Sequence, residues 1–243
     1  MIRSARGRIL QPMIQTTIAC VLIGRVAPLG PEASAIRKMP QEGRVPVGPA
    51  GLRGDEHAYH RHGGPDKAVL HYAFEHYAVW SAEFPRAAAH LARPGAFGEN
   101  LSSVGMSEAE VCVGDTFRAG TAVLQVSQPR QPCWKLGYLA AAPRIPHRMQ
   151  ENGWTGWYYR VLEPGTVGAG DRIKLEERAR ETWSIERLVR DFYARPLDRD
   201  LLEQIRELPA LSAEWRQLAE ERLQSGRIEP WAGRLEPPPD AAG

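Results

Sequence analysis

Among the residues that could do chemistry, Cys133 stands out for its setting, Gln128-Pro129-Arg130-Gln131-Pro132-Cys133-Trp134-Lys135-Leu136-Gly137. Each proline fixes φ and lacks a backbone donor, so this stretch resists both helix and central strand. The spacing predicts a stiff loop at a strand end, with Cys133 held on it. Arg130 and Lys135 are cations close in sequence to the thiol. If they are also close in space, they favour thiolate over thiol. A soft sulfur donor among cations suits a thiophilic metal or an anionic cofactor. The plain alternative is a small buried hydrophobe, the commoner fate of an unpaired cysteine. The loop's own residues leave both open.

Three other runs carry usable groups. In Gly51-Leu52-Arg53-Gly54-Asp55-Glu56-His57, Arg53 could hold a phosphate in a forked contact, or the run is a surface loop. In His62-Gly63-Gly64-Pro65-Asp66-Lys67, the glycines permit positive φ and close approach of the backbone to a ligand. Successive amides there could form an anion nest, with Lys67 adding charge. In Phe97-Gly98-Glu99-Asn100-Leu101, a carboxylate and an amide match the donor-rich edge of an aminopyrimidinone such as a pterin; the alternative is a polar turn at a strand end. His57, His60 and His62 invite a metal reading, but their spacing fits no regular zinc pattern and no second cysteine is near.

These loops need a scaffold. The chain has 243 residues, 43% apolar and 25% charged, ordinary values for a soluble globular protein. A net charge of +2 predicts no general attraction to nucleic acid or anionic membrane, so any cationic site is local. Three cysteines, Cys20, Cys112 and Cys133, make no set of pairs and point to a reducing cytoplasm. Arg3, Arg6 and Arg8 before Ile18–Ile23 hint at a signal peptide, but the apolar run is far below the roughly 20 residues that span a bilayer. Residues 1–15 read as an N-terminal extension, with Met13 an alternative start.

Residues 16–180 read as short strands between Gly and Pro turns, the mark of a mainly β, closed barrel with a few peripheral helices. The β-branched run over 16–26 predicts a buried first strand. Further strands are expected at 45–47, 67–72, 110–113, 157–162 and 173–175, with a hairpin turning near Ala119-Gly120. Tyr77, Trp80 and Phe84 share one face of a predicted helix over 74–84. A second helix over 140–150 is interrupted by Pro143 and Pro146. Residues 181–228 read as three amphipathic helices capped by Ser184, Asp198 and Ser212, with Gly226 past the last. So small a module should dock on the barrel or on another subunit. Residues 229–243, with Pro237-Pro238-Pro239, read as a disordered tail.

The four loop motifs, in this order, together with His71-Tyr72, His76-Tyr77 and Arg160-Val161-Leu162-Glu163-Pro164-Gly165, resemble the MOSC family, named for the C-terminal domain of molybdenum cofactor sulfurase. The resemblance is greatest to its bacterial YiiM-like subgroup, in which a three-helix domain follows the barrel. It implies a barrel that binds molybdenum cofactor, with Cys133 as the thiolate on molybdenum. Arg130, Arg53 and Lys67, with the His62-Gly63-Gly64 turn, become candidates to hold the cofactor's phosphate or its oxo-metal centre. Glu99 and Asn100 would face the pterin or support the loop that does. The implied activity is reduction of N-hydroxylated bases, such as 6-N-hydroxylaminopurine, to amines, a detoxification. The cofactor would do the redox chemistry and the protein would orient it. The chain has no nicotinamide fingerprint, so a separate protein would donate electrons, and a homodimer through the helical module is compatible. Two other readings keep the same residues: a cofactor carrier without turnover, and a sulfur-transfer protein with Cys133 as persulfide.

Overall fold

The structure, a computed structural model, describes residues 14–59, 63–178 and 183–238. In chain order its strands are β1 (Gln15–Gly24), β2 (Ala27–Leu29), β3 (Glu32–Ser34), β4 (Lys38–Pro40), β5 (Arg44–Gly48), β6 (Gly51–Leu52), β7 (Val69–Ala73), β8 (Leu101–Ser103), β9 (Thr116–Ala119), β10 (Ala122–Pro129), β11 (Trp157–Glu163), β12 (Gly165–Gly168) and β13 (Arg172–Glu177). Its α-helices are α1 (His76–Glu83), α2 (Trp134–Leu139), α3 (Ile145–Asn152), α4 (Ile185–Ala194), α5 (Arg199–Arg206), α6 (Ala213–Ser225) and α7 (Ala232–Leu235).

Among the described residues, seven strands close a barrel in the order β13-β9-β10-β11-β7-β8-β1. Pairing of Thr16 with Ile173 and of Thr17 with Arg172 completes the ring. Closure removes the edges that an open sheet would expose. The β7–β8 pair is parallel, and the chain between those strands has room for α1. β4 extends β1 outside the ring, a second small sheet runs β12-β5-β6, and β2–β3 form a hairpin. The barrel interior is filled by Val21, Phe117, Leu124, Trp157, Tyr159 and Ile173, all buried.

The helical module shares this core. Ile185, Leu188 and Phe192 of α4, Leu202 and Ile205 of α5, and Trp215 of α6 form one apolar cluster with the barrel residues. The predicted caps are all in place: Ser184, Asp198 and Ser212 accept from the amides of Arg187, Leu201 and Trp215. Gly226 is left-handed, as a helix stop requires. A second cluster of Tyr72, Tyr77, Trp80, Phe97, Leu136, Ile145 and Met149 packs α1, α2 and α3 together beside the barrel.

Three expectations are corrected. The helix expected over 140–150 starts only at Ile145: residues 140–144 are the break between α2 and α3, and Pro146 lies in the first turn of α3, where its missing amide costs no hydrogen bond. Residues 110–113 form no strand; Cys112 makes a single bridge to Ser184, and its amide is held by Asp115 Oδ2. Residues 229–238 are not a loose tail. Trp231 meets Tyr193 edge-on at 5.2 Å and Leu235 is buried, because this part of the segment still carries apolar side chains. Residues 239–243, like most of the N-terminal extension, lie outside the described residues.

Candidate cofactor cleft

Strand β10 ends at Pro129, paired with Trp157 of β11. The chain then leaves the sheet through Arg130–Pro132, and Cys133, with extended backbone at φ −129° and ψ 162°, is the residue from which α2 starts. The loop is pinned twice. The Arg130 amide donates to the carbonyl of Gly156 at 3.1 Å. Gly156 has φ 72°, and a Cβ there would sit 2.5 Å from the carbonyl oxygen of His71, so only glycine lets the two segments approach. From the other side, Arg234 Nη1 donates to the carbonyl of Pro132. Cys133 is thus half-buried on a fixed loop at a strand end, as its proline context predicts.

The thiol's loop opens on a cavity of about 840 Å³ that gathers Lys38, Lys67, Arg130, Lys135 and Arg234 around Cys133, with Trp134 and Tyr158 as aromatic wall. The lysines are compensated: Lys38 by Asp55, Lys67 by Glu214, and Lys135 by Glu32 at 2.7 Å. The guanidiniums are not. Arg130, 6% exposed, donates to the carbonyl of Phe97 at 2.9 Å, and Arg234 bonds only neutral groups. Among the described residues neither reaches a carboxylate within ion-pair distance, so the cleft keeps net positive charge. Burial lowers the affinity of Lys38 for its proton, although Asp55 opposes the effect. Burial also pushes the Tyr158 phenol up against the attraction of Arg130. Gln128, 2% exposed, lines the same cavity, and its Oε1 has no hydrogen-bond partner among the described residues. An unpartnered buried acceptor calls for a donor.

Of the residues singled out in the sequence, Cys133, Arg130, Lys67 and Asn100 meet at this cavity. Gly63 and Gly64 line a neighbouring cavity of about 570 Å³ against α6, which shares Lys67, Gln128 and Glu214 with the first. Gly64 has the positive φ, 112°, that such a turn needs. His62 and His60 lie outside the described residues; His57 is at the rim. Arg53 is exposed on the turn after β6 and lines neither cavity.

Glu99 lies behind the cavity wall, and Asn100, though it lines the cavity, has its side chain engaged by the scaffold. The fully buried Glu99 carboxylate accepts from the Gly95 amide at 2.7 Å, the Phe97 amide at 3.2 Å and the Tyr77 hydroxyl at 2.5 Å. Its pKa is raised by burial, against those donors. Asn100 accepts from the Leu70 amide at 3.0 Å and donates to the Leu22 carbonyl at 3.1 Å and to Asp55 at 2.8 Å, so its side chain has no donor left for a ligand. Lys38, Gln128 and Arg234 are cleft residues that the loop motifs do not mark as ligands. Gln128 and its neighbour Pro129 belong to the Cys133 motif, a signal that could have flagged it; Lys38 and Arg234 stand in ordinary polar runs.

A MOSC domain model matches residues 58–174, and a YiiM-like, 3-alpha helix domain model matches residues 183–226. Protein YiiM of Escherichia coli (strain K12) is 40% identical over 203 residues, which cover 83% of this chain and 90% of that protein. The chain belongs to the MOSC family. Its YiiM-like architecture extends to the fold: the crystal structure of YiiM from Escherichia coli superposes with a TM-score of 0.77 at 34% identity, covering 91% of this chain and 98% of the other. A protein named Reductase from Gibberella moniliformis (strain M3125 / FGSC 7600) is 40% identical over 197 residues, 81% of this chain but only 35% of that protein. MOSC domains are associated with molybdenum cofactor, and the donor set here fits such a group: one soft sulfur, two uncompensated guanidiniums for its anionic parts and an unpartnered amide oxygen for an N–H.

Proposed function

We propose that this MOSC-family protein is a molybdenum-cofactor-dependent reductase of N-hydroxylated compounds, of the 6-N-hydroxylaminopurine type, and that it removes such base analogues by converting them to amines. The observation that carries the reading is the half-buried Cys133 beside a cavity whose guanidiniums have no carboxylate partner among the described residues. A fungal relative named Reductase supports it.

In this reading Cys133 supplies the thiolate ligand to molybdenum, and Arg130 holds an anionic part of the cofactor. Lys67, with the Gly63-Gly64 turn, adds positive potential at the mouth shared with the second cavity. Gln128 Oε1 accepts an N–H from the bound group. Trp134 and Tyr158 form the wall on which a flat base stacks. When bound, the cofactor supplies the two-electron exchange; an N-hydroxylamine takes up two electrons and two protons to give amine and water. The electrons come from a separate donor protein. The three cysteines are free, as suits a reducing cytoplasm, and among the described residues no helix is long and apolar enough to cross a membrane.

The test is the purified protein, assayed for pterin and then with a reduced donor dye and an N-hydroxylated base. Amine production by the cofactor-loaded protein supports the reductase; bound cofactor without turnover makes it a carrier; persulfide on Cys133 without pterin makes it a sulfur-transfer protein. In cells, resistance to the hydroxylamino base should depend on intact cofactor synthesis.

A further inference from the structure

The segment 227–238 lies beyond both matched domains, yet Pro230, Gly233 and Arg234 line the cleft beside Cys133. It is anchored by a built contact. Arg222, 2% exposed, lies 3.6 Å over the ring of Phe192 and pairs with Glu229 at 2.6 Å. Glu229 in turn accepts from Trp231 Nε1 at 3.0 Å. This strap brings Arg234 across the helical module to the barrel. There its Nη1 donates to the Pro132 carbonyl at 2.5 Å, and its Nη2 to Gln150 Oε1 at 2.7 Å and to the Tyr193 hydroxyl at 3.4 Å.

We propose that Arg234 is an anion-binding residue of the cofactor cleft, and that residues 229–238 are the strap that delivers it. The inference rests on the cofactor reading above. A guanidinium has five N–H donors, and three are engaged, all with neutral acceptors, which fix its plane without cancelling its charge. The lysines of the cavity each have a carboxylate; Arg234 has none among the described residues. Its remaining donors suit a phosphomonoester or another oxoanion of the bound group, and the same side chain positions the loop that carries Cys133.

The experiment compares wild type, Arg234→Gln and Arg234→Lys. Each is gel-filtered in low and in high salt, and pterin per chain is measured by fluorescence after oxidation, with thermal midpoints to confirm folding. Anion binding predicts about ten-fold weaker pterin retention in Arg234→Gln, the scale of a lost charge-assisted hydrogen bond. It also predicts partial rescue in Arg234→Lys and a gap from wild type that narrows in high salt, where the charge is screened. A purely structural tie would hurt both variants equally at either salt, since lysine cannot reproduce the fork. That pattern, or wild-type retention in Arg234→Gln, overturns the proposal. Wild-type protein that carries no pterin from cofactor-competent cells overturns instead the reading on which it rests.

Discussion

Removing the carboxylate of Asp55 should destabilise the protein far more than removing the ion pair of which it is part. Asp55 and Lys38 have side chains 2% and 8% exposed, and the carboxylate also accepts from the Gly24 amide at 2.6 Å and from Asn100 Nδ2 at 2.8 Å. In Asp55→Ala the ammonium of Lys38 stays buried without its partner, a loss of about 3–5 kcal/mol, or roughly 10 °C in a chain of this size. In the double variant Lys38→Met, Asp55→Ala the stranded charge is gone. Only the two lost acceptors for Gly24 and Asn100 remain, about 1 kcal/mol each. The double variant should therefore recover about 2 kcal/mol relative to Asp55→Ala. Urea titrations of wild type, both single variants and the double variant measure the coupling. A double variant no more stable than Asp55→Ala would refute the argument that the buried charge, rather than the lost hydrogen bonds, dominates.

Other outcomes follow from the same structure. Burial holds the fully buried His71 imidazole at about 3, against an ordinary 6.5. Its contribution is therefore complete above the unfolded value and declines as pH falls from there toward 3; at pH 5 it should amount to about 2 kcal/mol lost, a loss absent in His71→Gln by urea titration at the two pH values. Arg130→Ala should weaken pterin retention by about 1.5–3 kcal/mol, read as bound pterin after gel filtration, and unchanged occupancy would remove Arg130 from the site. Cys20→Ser and Cys112→Ser should leave turnover largely intact, since neither residue lines the cleft; a loss of turnover without a loss of stability in either would contradict the assignment of Cys133 as the working thiol.

What the sequence makes legible is what local chemistry decides. The caps at Ser184, Asp198 and Ser212 depend on residues three positions away, so the helical module can be read from its own stretch of chain. The same holds for the stiff loop of Cys133, fixed by its prolines. Ring closure between β1 and β13 joins residues near opposite ends of the barrel segment, and the many short strands imply it without giving its register. The site residues divide in the same way. Cys133, Arg130 and Lys67 are marked by their own loops. Glu99 and Asn100 carry ligand-like groups, but Glu99 is taken by amides of its own loop and by the Tyr77 hydroxyl, and Asn100 by the Leu70 amide and Leu22 carbonyl that the fold brings near, and no local pattern tells a scaffold carboxylate from a ligand-facing one. Lys38 and Arg234 are the converse: plain surface charges in sequence that the paths of β4 and of the C-terminal strap carry into the cleft.

The central claim is that Cys133 holds a redox-active molybdenum cofactor. It is tested most directly by metal and pterin analysis of wild type and Cys133→Ser from the same cofactor-competent cells, followed by amine production from an N-hydroxylated base with a reduced dye. The account predicts molybdenum, pterin and turnover in wild type. In Cys133→Ser it predicts loss of molybdenum or turnover with an unchanged fold, because oxygen is a harder and weaker ligand than thiolate for this metal. Equal molybdenum and equal turnover in the two proteins, or a loaded wild type that forms no amine, would contradict it.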